Sequence, residues 1–223
     1  MPAVRRDPSV TPLDQHHHAV LSPERSRALS SRARILAAAS VTYNAAEAVI
    51  ALLAGNAAGS VALIGFGLDS LIEVSSGLVI LWQFAQPLPE SRERLAGRLI
   101  AVSFFALAAY VGVESVRALL GGVEPDTSRV GIALAAVSLL VMPLLSLAQR
   151  RTGRALHSST VVADSSQTLL CSYLSAALLV GLLLNALLDW SWADPAVALV
   201  IGAVAVREGV QAWRGQGCCV GHG

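Results

Sequence analysis

Two acidic side chains in the middle of an apolar stretch are the residues most able to do chemistry. Asp69 and Glu73 are four residues apart in the apolar run from about 60 to 84. On a helix they therefore lie on one face, one turn apart. Two carboxylates inside a bilayer are costly unless they hold a cation, relay protons or bond a neighbouring helix. Of these three alternatives, we favour a metal site.

A later apolar run carries a second set of candidate ligands. Asp164, Thr168, Cys171 and Ser175 recur at steps of four, three and four, and Gln167 lies beside that stripe. Carboxylate, amide and thiolate donors at this spacing suit a divalent transition ion. Such ligands bind a metal when deprotonated, so metal entry would expel protons. The alternative is that the hydroxyl and amide groups bond neighbouring helices, which is common in membrane bundles.

A third buried carboxylate is predicted in the first apolar run. Glu47 shares a helix face with Ser40 and Asn44, and its burial requires a partner or a wet cavity. We consider Glu47 a candidate proton relay.

Three further acidic residues are assigned roles that do not involve a metal. Glu114, three residues before Arg117, predicts a local salt bridge near a helix end. Asp189 and Asp194 are interpreted as caps and surface charge, with Asp194-Pro195 opening the last helix.

Composition places these residues in an integral membrane protein. The chain has 223 residues, of which 54% are hydrophobic and 14% charged, and its net charge of +1 gives no basic excess for nucleic acid. The predicted fold is all-α: a six-helix transmembrane bundle in which the first helix serves as an uncleaved insertion signal and no soluble domain follows the last. The predicted spans are about 34–54, 60–84, 96–120, 130–148, 161–188 and 195–213.

The two ends are predicted to be polar tails around one membrane domain. We divide the chain into a flexible tail, 1–30, a six-span domain, 31–214, and a short Cys/His tail, 215–223. His16–His18 in the first tail and Cys218 with Cys219 in the second are candidates for metal capture. The alternatives are a plain solvated tail for the histidines, and lipidation or simply exposed thiols for the cysteines.

The arginines predict the orientation of the bundle. They cluster before span one, between spans two and three, between four and five, and after six, which places both termini in the cytoplasm. The expected location is the plasma membrane, as in a bacterial inner membrane. In this orientation Asp69 and Glu73 on span two, and Gln167 and Cys171 on span five, lie roughly 14–22 Å from the cytoplasmic boundary. The two helices can therefore present these groups to each other.

These motifs resemble the cation diffusion facilitator family of divalent-metal transporters. The resemblance is carried by residues 59–73 of span two, with Asp69 and Glu73, by residues 163–171 of span five, and by Asp194-Pro195. It implies a homodimer that exports Zn²⁺, Co²⁺, Fe²⁺ or a similar ion from the cytoplasm in exchange for protons, by alternating access. The ion is transported cargo, and no permanently bound cofactor is expected.

The resemblance also implies a ligand set, with departures from the family pattern. Asp69 and Glu73 fill the positions on span two, while Gln167 and Cys171 stand where the family usually has His and Asp. Because Gln is a weak, uncharged ligand, Asp164, one turn before Thr168, is a candidate ligand in place of Gln167. The alternative function is a non-transporting membrane scaffold or metal-sensing partner with a degenerate site. An enzyme is not expected, because no Ser/His or Cys/His pair lies at a common depth.

Overall fold

Six long helices make up the computed structural model, which describes residues 23–85, 90–121, 124–156 and 158–214. All six are long and apolar enough to cross a membrane. This confirms the predicted all-α, six-span fold. The helices are α1 Pro23–Ala58, α2 Val61–Ala85, α3 Glu90–Gly121, α4 Arg129–Leu156, α5 Ser159–Leu188 and α6 Ala193–Trp213.

Three helices extend further than the apolar pattern predicts. α1 begins at Pro23, so residues 23–30 are helical, and the prediction that they belong to a flexible tail is wrong. α3 begins at Glu90 and α4 continues to Leu156, through Pro143. The 36 residues of α1 span about 54 Å, well beyond the hydrocarbon layer. Hydropathy measures only the lipid-crossing part of a helix, whereas polar residues such as those at 24–34 can continue it into water.

The bundle is built from three closely packed helix pairs. α1 packs on α2, α3 on α6 and α4 on α5, and α1 also contacts α4. α2 has smaller contacts with α3, α5 and α6, so it lies at the centre of the arrangement. The polar faces of α1, α2 and α5 are therefore brought together inside the bundle.

Glycine allows the close approach of α1 and α2. A Cβ at Gly55 would lie 2.9 Å from the backbone nitrogen of Ile64, and one at Gly77 would lie 2.6 Å from Cγ2 of Val41. Small residues at such crossings let helix backbones approach within reach of polar side-chain contacts. Along this interface Asn44 bonds Glu73 and Ser70 bonds Glu47.

Asp194 has a different role from the one predicted. The N-cap position of α6 is Trp192, which makes no side-chain cap bond, and Asp194 lies inside the first turn, only 2% exposed. Its carboxylate accepts hydrogen bonds from the Ser60 hydroxyl and from the Ala62 backbone N–H, at 3.2 Å for the latter. The cap and surface-charge interpretation of Asp194 is therefore wrong. The residue caps the start of α2 instead, where free N–H groups favour an anion.

Candidate metal centre

Glu73 stands at a small polar cavity between α1, α2 and α5. Its Oε2 accepts a 2.8 Å hydrogen bond from Asn44 Nδ2. The cavity is about 10 Å³, close to the minimum for one water-sized particle. It is lined by Ala37, Ser40, Val41, Asn44, Glu73, Ser76, Gly77, Asp164, Gln167 and Thr168. Three of the five predicted ligands, Glu73, Asp164 and Gln167, thus meet at one cavity.

Asp164 is held in place by α4. Its Oδ2 accepts a 2.8 Å hydrogen bond from Nε2 of the fully buried Gln149. Asp164 also lies near enough to Glu73 to interact with it electrostatically. α4 is further tied to α5 by a 2.6 Å bond from the Ser146 hydroxyl to the Ser165 carbonyl. No residue of α4 is among the predicted ligands, although Ser138, Ser146 and Gln149 are buried polar residues of that helix and their spacing of eight and three places them near one face.

Two buried amide oxygens lack a hydrogen-bond partner in this part of the bundle. They are Asn44 Oδ1 and Gln149 Oε1, and within the described residues the only other such side-chain atom is the Ser115 hydroxyl of α3. Buried polar atoms in folded proteins are usually paired, because an unpaired one has lost water without compensation. Asn44 lines the cavity itself, so its unpartnered oxygen adds an acceptor to the groups there.

Glu47 is an almost fully buried carboxylate that accepts hydrogen bonds from three helices. It is 1% exposed and accepts hydrogen bonds from Ser70 on α2 at 2.9 Å, from Ser138 on α4, and from Cys171 Sγ on α5 at 3.9 Å. Tyr43 extends this network, with its hydroxyl 2.8 Å from that of Ser138. The predicted burial of Glu47 with hydrogen-bond partners is confirmed, and its role as a proton relay stays a prediction.

Asp69 and Cys171, the two remaining predicted ligands, are buried but do not line the cavity. Asp69 interacts electrostatically with Glu47 and with Glu208 on α6, and Cys171 with Glu47 and Glu73. Helices two and five therefore face each other through Glu73 and Cys171. In the parts of the chain that the structure describes, no three His, Cys, Asp or Glu side chains converge closely enough to hold an ion by themselves. The ligand set accordingly stays a prediction.

Other sequence-based candidates have simpler outcomes. Glu114 and Arg117 form the predicted salt bridge, at 2.8 Å. The histidines at 16–18 and the cysteines at 218 and 219 lie outside the described residues.

Comparison with known proteins identifies the family. The profile of the cation efflux transmembrane domain matches residues 90–214, which is more than half of the chain and covers α3 to α6. A curated relative, an uncharacterized transporter of Synechocystis sp., is 28% identical over 166 residues, which is 70% of this chain and 54% of the relative. The chain thus spans about half the length of that relative. The site residues of α1 and α2 precede the matched segment, whereas those of α5 lie within it. The chain belongs to the cation efflux family of multi-pass membrane proteins.

Proposed function

We propose that this protein is a secondary active transporter that moves a divalent transition-metal cation out of the cytoplasm in exchange for protons. The observation that carries the proposal is that carboxylates and amides from α1, α2 and α5 surround one small cavity inside a cation efflux bundle. The ligands of the ion are drawn from Asp69, Glu73, Asp164, Gln167 and Cys171. Zinc-like ions are the expectation from the sequence.

Coupling to protons follows from the chemistry of these ligands. Carboxylate and thiolate groups bind a divalent ion in their deprotonated forms, so ion and protons compete for the same atoms. Glu73, Asp69, Glu47 and Cys171 interact with one another electrostatically, so a change of charge at one is felt by the others. We propose that Glu47, bonded to three helices, takes up or passes on protons when the ion leaves.

The transport cycle needs the cavity to open to each side in turn. The polar groups sit on helices from different pairs, α1 with α2 and α4 with α5. Rocking of these pairs against each other would separate Glu73 from Asp164 and Gln167, and so take the ion's ligands apart. The arginine distribution supports an orientation with both termini in the cytoplasm, and the plasma membrane is part of the same proposal. A homodimer, from the resemblance, is part of the same proposal.

Metal uptake into inverted membrane vesicles tests the proposal directly. Wild-type protein is compared with Glu73→Ala and Asp164→Ala, which change two of the carboxylates that line the cavity, across a panel of divalent ions, with internal pH recorded by a trapped dye. The matched control is Glu114→Ala, which removes an acidic side chain from an exposed salt bridge. We expect wild type and control to take up metal with proton release, and both site variants to be impaired. Transport untouched by both site variants would remove this ligand set, and vesicles that move no ion would favour the scaffold alternative.

A further inference from the structure

Only one of the two polar atoms of the Asn44 amide has a hydrogen-bond partner among the described residues. Its nitrogen donates to Glu73 at 2.8 Å, while its oxygen has no hydrogen-bond partner among the described residues. The side chain is 3% exposed, so bulk water does not compensate the oxygen. A carboxylate accepts hydrogen bonds, so the amide nitrogen, which donates, faces Glu73 and the amide oxygen points to no hydrogen-bond donor. That oxygen belongs to a side chain lining the cavity.

The side-chain atoms at this cavity that could coordinate a metal ion are oxygens of carboxylate, amide and hydroxyl groups. Carboxylates of Glu73 and Asp164, amides of Asn44 and Gln167 and the Thr168 hydroxyl line it, and the sulfur of Cys171 does not. Carboxylate, carbonyl and water oxygens suit hard cations such as Mn²⁺, whereas thiolates suit softer ions. The unpartnered Asn44 oxygen is the second sign of a ligand here, because a bound cation would give that oxygen the partner it lacks.

We propose that Asn44 Oδ1 is a direct ligand of the transported cation, and that the cavity selects a hard divalent cation of the Mn²⁺ class through oxygen donors alone. This rests on the proposed function, since it assumes that the cavity holds the cargo. It extends the predicted ligand set to α1 and leaves the thiol of Cys171 outside the coordination sphere in the conformation described. Asn44 then has two tasks: it orients Glu73 with its nitrogen and binds the ion with its oxygen.

Binding of Mn²⁺ to the purified full-length chain in lipid nanodiscs tests this without requiring transport. Free Mn²⁺ gives a sharp paramagnetic resonance signal that is lost on binding, so a titration yields the affinity. We expect Asn44→Leu to weaken binding at least about tenfold, and Asn44→Asp, which keeps an oxygen, to retain it. The matched control is Ser115→Ala, which removes another buried unpartnered oxygen, on α3 and away from the cavity. It should bind as wild type does.

A second measurement reports on the donor atoms. Cadmium bound to a thiolate absorbs in the ultraviolet. A Cys218→Ser/Cys219→Ser variant removes the tail thiols and keeps Cys171, so its Cd²⁺ complex should lack that band if the coordination is by oxygen. This readout also applies if Asn44→Leu fails to fold, which circular dichroism and gel filtration would reveal.

The outcomes separate this inference from the proposed function. Wild-type affinity in Asn44→Leu, or a thiolate band in the cadmium complex, overturns the inference, and loss of binding in Glu73→Gln would then leave the cavity as the cation site. An equal loss in Asn44→Leu and Asn44→Asp also overturns it, because the amide would then act only by orienting Glu73. If wild type binds no divalent ion and Glu73→Gln transports normally, the inference and the proposed function both fail.

Discussion

Two buried carboxylates of this bundle, Asp194 and Glu73, have opposite surroundings. The Asp194 carboxylate accepts hydrogen bonds from two neutral donors at the start of α2, a hydroxyl and a backbone N–H. Glu73 receives one amide donor and is otherwise close to other acidic groups, with a cavity and an unpartnered oxygen beside it. The first arrangement is complete within the protein. In the proposed function, a bound cation completes the second, so burial of an acid alone does not distinguish structure from function.

The largest effect is expected from neutralising the incomplete site. Glu73→Gln keeps the shape of the side chain but removes a charged ligand, so we expect metal uptake into inverted vesicles to fall by at least about 100-fold. The fold should survive, because an amide can still bond the Asn44 side chain. Uptake within a few-fold of wild type would show that Glu73 is as structural as Asp194.

Substitution of Asp194, by contrast, is expected to lower the free energy of unfolding and not the rate of transport. Asp194→Ala leaves the Ser60 hydroxyl and the Ala62 N–H without their acceptor, which we expect to cost about 2 kcal/mol of unfolding free energy. The measurement is denaturant unfolding in detergent, as a double-mutant cycle with Ser60→Ala to isolate the coupling between the two side chains. Transport per folded molecule should be unchanged. A transport defect without loss of stability would contradict the assignment of Asp194 to structure.

An intermediate effect is expected from the hydrogen bond that holds the cavity residue Asp164. Gln149 bonds Asp164 from α4 without lining the cavity itself, so Gln149→Leu should free Asp164 and weaken metal binding about tenfold, as the loss of outer partners does at metal sites. Mn²⁺ titration measures this, and Gln149→Glu tests whether a donor is required. Unaltered affinity in Gln149→Leu would show that Asp164 needs no orientation or is no ligand.

The sequence predicts the fold well because helix length and apolarity are local properties. All six spans, the burial of Asp69, Glu73 and Glu47, and the salt bridge of Glu114 follow from hydropathy and a 3.6-residue period. The role of Asp194 does not, since its partners lie more than 130 residues away, at the start of α2. A local cap pattern therefore predicts the wrong partner.

The lining of the cavity is predicted only in part because helix rotation decides which polar groups share it. Span and face identify Glu73, Asp164 and Gln167, but they also select Asp69 and Cys171, which lie in the neighbouring Glu47 network rather than at the cavity. Asn44 and Gln149 are missed as site residues. An amide is an ordinary interhelical group in a sequence, and its unpartnered oxygen is visible only once the neighbours are in place.

The smallest effect is expected from breaking the salt bridge between Glu114 and Arg117. Arg117 bonds Glu114 at 2.8 Å, but its side chain is 71% exposed, so water and salt screen the pair. We expect Arg117→Ala to cost under about 0.5 kcal/mol in denaturant unfolding and to leave uptake unchanged. Raising the salt concentration should reduce even that difference. A larger loss of unfolding free energy would show that the Glu114–Arg117 pair stabilises the bundle, as the hydrogen bond between Asp194 and Ser60 is expected to do.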